Sequence, residues 1–201
     1  MTTVPLFFGF YVYSGEDCTS AFKGKGKVGP LKKLEKNPKF HTAFRQLGDD
    51  WDVKLRVVKQ LEEFTCLMYN YSREKSVDVV REKLLRKMVG DNEKLASKCK
   101  VDLACQSALM PHIQRVNHRV ALYKRAHEGI LERPKPYDQG QGWMKNADGV
   151  LEPVWCLKPI LPVSLIDLLA DGGCGEEDDE EDEEEDEEVD FDAFAKSDDE
   201  F

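Results

Sequence analysis

The chain has 201 residues, 41% of them apolar and 9% aromatic, which is enough to bury one modest core. Its net charge of −10 hides a division: residues 176–201 hold 18 of the 39 acids and one of the 29 bases, a charge of −17, and leave residues 1–175 with 28 bases against 21 acids, a charge of +7. The six cysteines, Cys18, Cys66, Cys99, Cys105, Cys156 and Cys174, show no CxxC or Cys/His ligand spacing, so neither a zinc site nor a disulfide framework is indicated, and no Ser-His-Asp, Walker or Rossmann pattern argues for an enzyme of those classes. Reduced thiols in a nuclear or cytoplasmic protein are the expectation.

The first feature along the chain is the apolar run Val4–Tyr13. It has no basic leader or small-residue cleavage site, and about ten residues are too few to span a bilayer, so no membrane partner is expected. The run reads as a buried strand, or as an apolar stump exposed by truncation. Gly15-Glu16-Asp17 follows and, after six residues, Gly24-Lys25-Gly26-Lys27. Two glycines allow positive φ and remove the side chains that would keep a phosphodiester away from backbone N–H groups. Gly29-Pro30 ahead of Leu31-Lys32-Lys33-Leu34 puts Pro30 at the first position of a helix whose free N–H groups would face an anion.

From Lys23 to Arg45 there are eight Lys or Arg residues and one acid, Glu35. Such a stretch suits a phosphate-tracking surface formed by Lys23, Gly24, Lys25, Gly26, Lys27, Lys32 and Lys33. A flexible turn with solvated lysines would show the same pattern. Glu16-Asp17 is an acidic pair of the kind that binds metal, and Asp17 read on its own is an N-cap or turn carboxylate for Cys18–Phe22.

The middle of the chain is predicted to be helical. Asn37-Pro38 starts a helix through Phe40, Phe44 and Leu47, closed by Gly48. Residues 52–69 place Val57, Val58, Leu61, Phe64, Thr65 and Met68 on one stripe. Ser76 caps the next helix, in which Val77, Val80, Leu84 and Met88 keep the period to Gly90. Residues 102–127 repeat Cys105, Leu109, Ile113, Val116, Val120 and Tyr123, with Pro111 either kinking the helix or starting its second half. The polar side of this stretch carries His112, Arg115, His118, Arg119, Lys124, Arg125 and His127, and no acid occurs from Leu103 to His127. It is either a nucleic-acid-binding face, with Arg115 and Arg119 as candidate contacts, or an ordinary solvated one.

From Arg133 a Pro- and Gly-rich connector leads to Gly142-Trp143-Met144-Lys145 and Val150–Leu157 around Asn146-Ala147-Asp148-Gly149. This is a predicted β-hairpin in which Trp143 and Trp155 supply packing against the helices. Residues 161–169 read as a last short helix ended by Asp171-Gly172-Gly173. The tail from Gly175 cannot fold alone and reads as a disordered polyanion that competes with DNA for the lysines, binds basic proteins, or merely solubilises.

Gly15-Glu16-Asp17 followed by Gly24-Lys25-Gly26 resembles the G-x-D…G-x-G segment of flap-endonuclease and related PIN-like nucleases. The resemblance implies a strand leading to a metal-binding aspartate and a glycine turn opening a helix-hairpin-helix that grips one DNA strand. The order SGEDCTSAFKGKGKVGPLKKLEK, ALMPHIQRVNHRVALYKRAHE, GWMKNADGVLEPVWCLKPILP is similar to the C-terminal portion of uncharacterised metazoan proteins associated with mobile elements. The PIN-like family supplies most of its carboxylates upstream of the G-x-D segment, and this chain has none upstream of Gly15. The resemblance therefore implies that Asp17, with Glu16 beside it, is a candidate metal ligand and at most a vestigial catalytic carboxylate: one carboxylate cannot organise two ions, so no catalytic residue and no cofactor are expected, and Mg²⁺ would enter only if another chain completed the site. The expected fold is mainly α: a PIN-like remnant at 1–48, a helical region at 49–132, a docked hairpin and short helix at 133–173, and a disordered acidic tail at 174–201. The expected function is non-catalytic binding of nucleic acid, DNA before RNA; the alternative is an interaction protein whose tail binds basic nuclear partners.

Overall fold

A computed structural model describes residues 4–89, 103–128 and 133–158, all within one unit, Met1–Pro162. In chain order these form α1 (Val4–Tyr13), α2 (Val28–Glu35), a 3₁₀ turn (Pro38–Phe40), α3 (His41–Gln46), α4 (Leu55–Met68), α5 (Val77–Val89), α6 (Gln106–Lys124), and the strands β1 (Trp143–Lys145) and β2 (Leu151–Pro153). The fold is therefore mainly α with one small hairpin. The short helix expected at 161–169 and the acidic tail lie outside the described residues, and no described helix is long and apolar enough to cross a membrane.

The N-terminal run is a helix and not a strand. Its inward residues Leu6, Gly9, Phe10 and Tyr13 follow a helical spacing, but the outward positions Val4, Phe7 and Tyr11 are apolar too. That uniformity erases the periodic signal. Gly9 serves close approach: a Cβ there would run into the backbone carbonyl of Phe44 in α3. Phe10, Tyr13, Phe44 and Phe64 meet edge to face or tilted, with centroids 5.0–6.4 Å apart, at the centre of the core. Helix α1 thereby shares this core with α3, α4 and α6.

The expected stripe of α4 is buried at every named position, Val57, Val58, Leu61, Phe64, Thr65 and Met68. Gly48 ends the α3 segment with φ 74°. Glu62, buried in α4, accepts the Val77 N–H at 3.1 Å and so caps α5 from a neighbouring helix.

Helix α6 runs unbroken through Pro111. Proline has no N–H to return to the Ser107 carbonyl one turn back, and that carbonyl accepts the Leu157 N–H instead, at 2.9 Å. The hairpin is thereby docked on α6. Its register pairs Trp143 with Pro153, Met144 with Glu152 and Lys145 with Leu151. The turn is closed by Asn146 Oδ1, which accepts the N–H groups of Asp148 and Val150, and by Gly149 at φ 77°. Trp143 packs on the His118 ring as expected, and Trp155, although 66% exposed, meets α6 where the Arg115 guanidinium lies 5.6 Å from its ring centroid.

Candidate nucleic-acid interface

Helix C-termini leave carbonyls without intrahelical partners, and this chain answers that demand with lysine and arginine side chains. At the end of α1, Gly15 takes φ 115° and turns the chain back. Thr19 Oγ1 donates to the Val12 carbonyl at 2.7 Å, and Lys27 Nζ donates to the carbonyls of Tyr11, at 3.2 Å, and Gly15 while lying 4.2 Å above the Tyr11 ring. At the end of α4, Lys33 Nζ donates to the carbonyls of Leu67 and Met68, at 3.0 and 2.9 Å, and to Asn70 Oδ1 at 2.7 Å. Burial lowers the pKa of both lysines; the Glu16 charge works against this at Lys27, and the Lys25 charge adds to it at Lys33. Two of the candidate phosphate contacts are therefore straps that hold the basic segment to α1 and α4.

The turn between the straps is open. Gly24 sits at φ 65°, and a Cβ added at Gly24, Gly26 or Gly29 would meet nothing within 4 Å. Lys25 lies 4.8 Å over the Tyr69 ring, Tyr69 donates to the Lys23 carbonyl at 3.3 Å, and Lys32 is exposed. Helix α2 begins at Val28, two residues before Pro30, and its N-cap residue Lys27 provides no side-chain cap. The N–H groups of Val28 and Gly29 thus stand at an uncapped helix start beside Lys25 and Lys32.

The acidic pair does not converge. Glu16 points to α6, where the Arg119 guanidinium grips its carboxylate at 2.9 and 3.0 Å and the Tyr123 hydroxyl donates at 2.8 Å. Burial works to raise the Glu16 pKa, and these hydrogen bonds outweigh it and hold it below the usual carboxylate value. Asp17 is exposed in the tight turn 16–19, which fits the turn reading of that residue. Among the described residues no three His, Cys, Asp or Glu side chains cluster as a metal centre would require.

The expected cationic face of α6 is corrected by the structure: its polar side chains are internal brackets. Arg115, 2% exposed, donates to the carbonyls of Val154 and Gly142 at 2.6 and 3.2 Å. Asn117 holds the loop after α3, accepting the Gly48 N–H and donating to the carbonyls of Asp50 and Trp51. His118 bonds Gln141 Oε1 at 2.7 Å between the rings of Trp51 and Trp143. Lys124 and Arg125 cover the carbonyls of Arg45, Gly48 and Asp49. His112 Nε2 lies 3.0 Å from the Tyr13 carbonyl, and burial, with the nearby Arg115 charge, pushes its pKa down to about 4 despite that bond. Arg115 and Arg119, the two α6 candidates, are thus both spent within the fold and are not brought to the glycine turn.

Sequence reasoning missed Tyr11 and Tyr69, the rings under Lys27 and Lys25. They lie at helix ends, where neither periodicity nor a motif marks them. No protein-family model matches the chain, and neither curated proteins nor solved structures give a match.

Proposed function

We propose that the segment from Lys23 to Lys33 binds the phosphate backbone of a nucleic acid without cleaving it, as a non-catalytic remnant of a PIN-like nuclease. The observation that supports this reading is the open glycine turn at the uncapped start of α2. Gly26 and Gly29 have neither a positive φ nor a packed neighbour to require glycine, so the space beside them suits a group from outside. Lys23, Lys25 and Lys32 are the cations placed to follow such a backbone, with the N–H groups of Val28 and Gly29 as neutral donors. Lys27 and Lys33 position the turn. Catalysis is left out of this reading: Arg119 binds the Glu16 carboxylate, and Asp17, exposed on the same turn, is left as a single carboxylate, too few to organise two ions.

The test is fluorescence anisotropy of the full chain on duplex and branched DNA across a salt series. Changing Lys25 and Lys32 to Ala together is expected to weaken binding and to make the slope of log K against log salt shallower by about 0.9 per lost duplex contact. Unchanged affinity and slope would remove the phosphate role of this turn. The charge of −17 on residues 176–201 supports a second reading, in which the tail recruits basic partners; capture of a basic protein that is lost on tail deletion would favour it.

A further inference from the structure

Cys105, the N-cap residue of α6, and Cys156, three residues past β2, are brought together by the docking of the hairpin. Ser107 Oγ lies 3.1 Å from Cys105 Sγ and 2.9 Å from Cys156 Sγ, so one hydroxyl bridges the two thiols. The backbones on either side are tied by the Leu157 N–H bond to the Ser107 carbonyl, and Arg115 holds the Val154 carbonyl a few residues earlier. The two backbones are therefore held side by side next to the thiols. Cys105 is buried and Cys156 is half-buried, so an oxidant reaches Cys156 first.

We propose that Cys105 and Cys156 are a reversible redox pair whose disulfide fastens the hairpin to the start of α6. Burial opposes ionisation of the Cys156 thiol, as does its donation to the Lys158 carbonyl at 2.7 Å, but the Ser107 hydroxyl and the backbone around Lys158 and Leu157 outweigh them and bring its pKa below that of an ordinary thiol. The oxidant is hydrogen peroxide. The Cys156 thiolate attacks one peroxide oxygen, an S–O bond forms as the O–O bond breaks, and the leaving oxygen takes a proton and departs as water. Cys105, giving up its proton, then attacks the sulfenic sulfur; the S–S bond forms, the S–O bond breaks, and the hydroxide takes that proton and leaves as a second water. The two thiols have lost the two electrons that the peroxide gained, and a dithiol reverses the change by exchange. Cys66 is ill suited to this chemistry: it is buried, and burial, with the Glu62 charge nearby, pushes its pKa up to about 12. The exposed Cys18 is an internal reference for unassisted oxidation.

The test treats the dilute, fully reduced full chain with hydrogen peroxide, alkylates the remaining thiols and maps the peptides without reduction. The expected product is one intramolecular link between the Cys105 and Cys156 peptides, reversed by dithiothreitol, formed while Cys18 is still largely alkylatable. In Cys105→Ser the resolving thiol is gone, so a sulfenic acid should be trapped at Cys156 by a cyclic 1,3-dione. A bridge from Cys156 to Cys99 or Cys174, a link only between chains, or peroxide doses that oxidise Cys18 while Cys105 and Cys156 both stay alkylatable would each overturn the proposal.

Discussion

Two regions of this molecule are rich in cations and use them in opposite directions. On α6, Arg115 and Arg119 turn their guanidinium groups inward, onto the carbonyls of the hairpin and the carboxylate of Glu16. In the segment from Lys23 to Lys33 the work is divided, with Lys27 and Lys33 closing the ends of α1 and α4 while Lys25 and Lys32 stand beside an open turn. A cation next to a free helix C-terminus has a local use, and only cations beyond that use are available to a ligand. Charge density alone does not separate the two cases.

The contrast can be broken most forcefully at Arg115. Arg115→Ala leaves two carbonyls of the hairpin segment without their buried donor and is expected to cost about 3 kcal/mol, read as a lower urea midpoint, with no change in the salt slope of DNA binding. If it altered the slope and left the midpoint in place, α6 would be a ligand surface after all. A comparable effect comes from acid. His112 folds with its pKa down at about 4, so between the unfolded value near 6.5 and that folded value the unfolded chain binds the extra proton. Its contribution is complete above about pH 6.5 and is lost as pH falls toward 4, roughly 3 kcal/mol over the window. Burial also lowers the His118 pKa, which adds a change of the same sign. Denaturation midpoints measured from pH 7 to pH 4 should fall throughout, and His112→Gln should flatten the fall.

The α6 stripe shows how far the sequence could be read. Cys105, Leu109, Ile113, Val116 and Val120 repeat at helical spacing and are buried, because a helix between a core and solvent must show that period, whereas Tyr123, the last of the expected stripe, is 40% exposed and donates to Glu16. The same logic failed at α1, where both faces are apolar, and it failed for His112, Arg115 and His118, which are polar by composition but have buried partners from residues far away in sequence. Hydrogen-bond partners at that range leave no local trace. The glycine turn was legible as a turn, since Gly24 needs its positive φ, while the straps on Lys27 and Lys33 depend on where α1 and α4 end in space.

A smaller effect is expected at those straps. Lys27→Met and Lys33→Met, which keep much of the aliphatic stem, should each cost about 1 kcal/mol of stability, whereas Lys25→Ala and Lys32→Ala should stay within about 0.5 kcal/mol. Thermal melts of the four variants sharpen the division between cations that hold the segment and cations that face outward. The smallest effect concerns the tail, whose −17 opposes the +7 of residues 1–175. Deleting residues 176–201 should tighten DNA binding a few-fold at about 50 mM salt and progressively less as added salt screens the competition. Equal affinities at low salt would leave the tail with partner binding or solubility.

Pro111 sets local preference against long-range attachment. By withholding one N–H it makes α6 a poorer helix in isolation, yet the acceptor it frees at Ser107 is an address that Leu157 can read in only one register. Pro111→Ala would strengthen the isolated helix and offer Ser107 a partner on its own strand of the ladder, so that Leu157 would have to compete for an acceptor it now holds unopposed. The proline is then a conflict resolved in favour of the whole over the part: a weakened element made to fold correctly only with the segment that completes it.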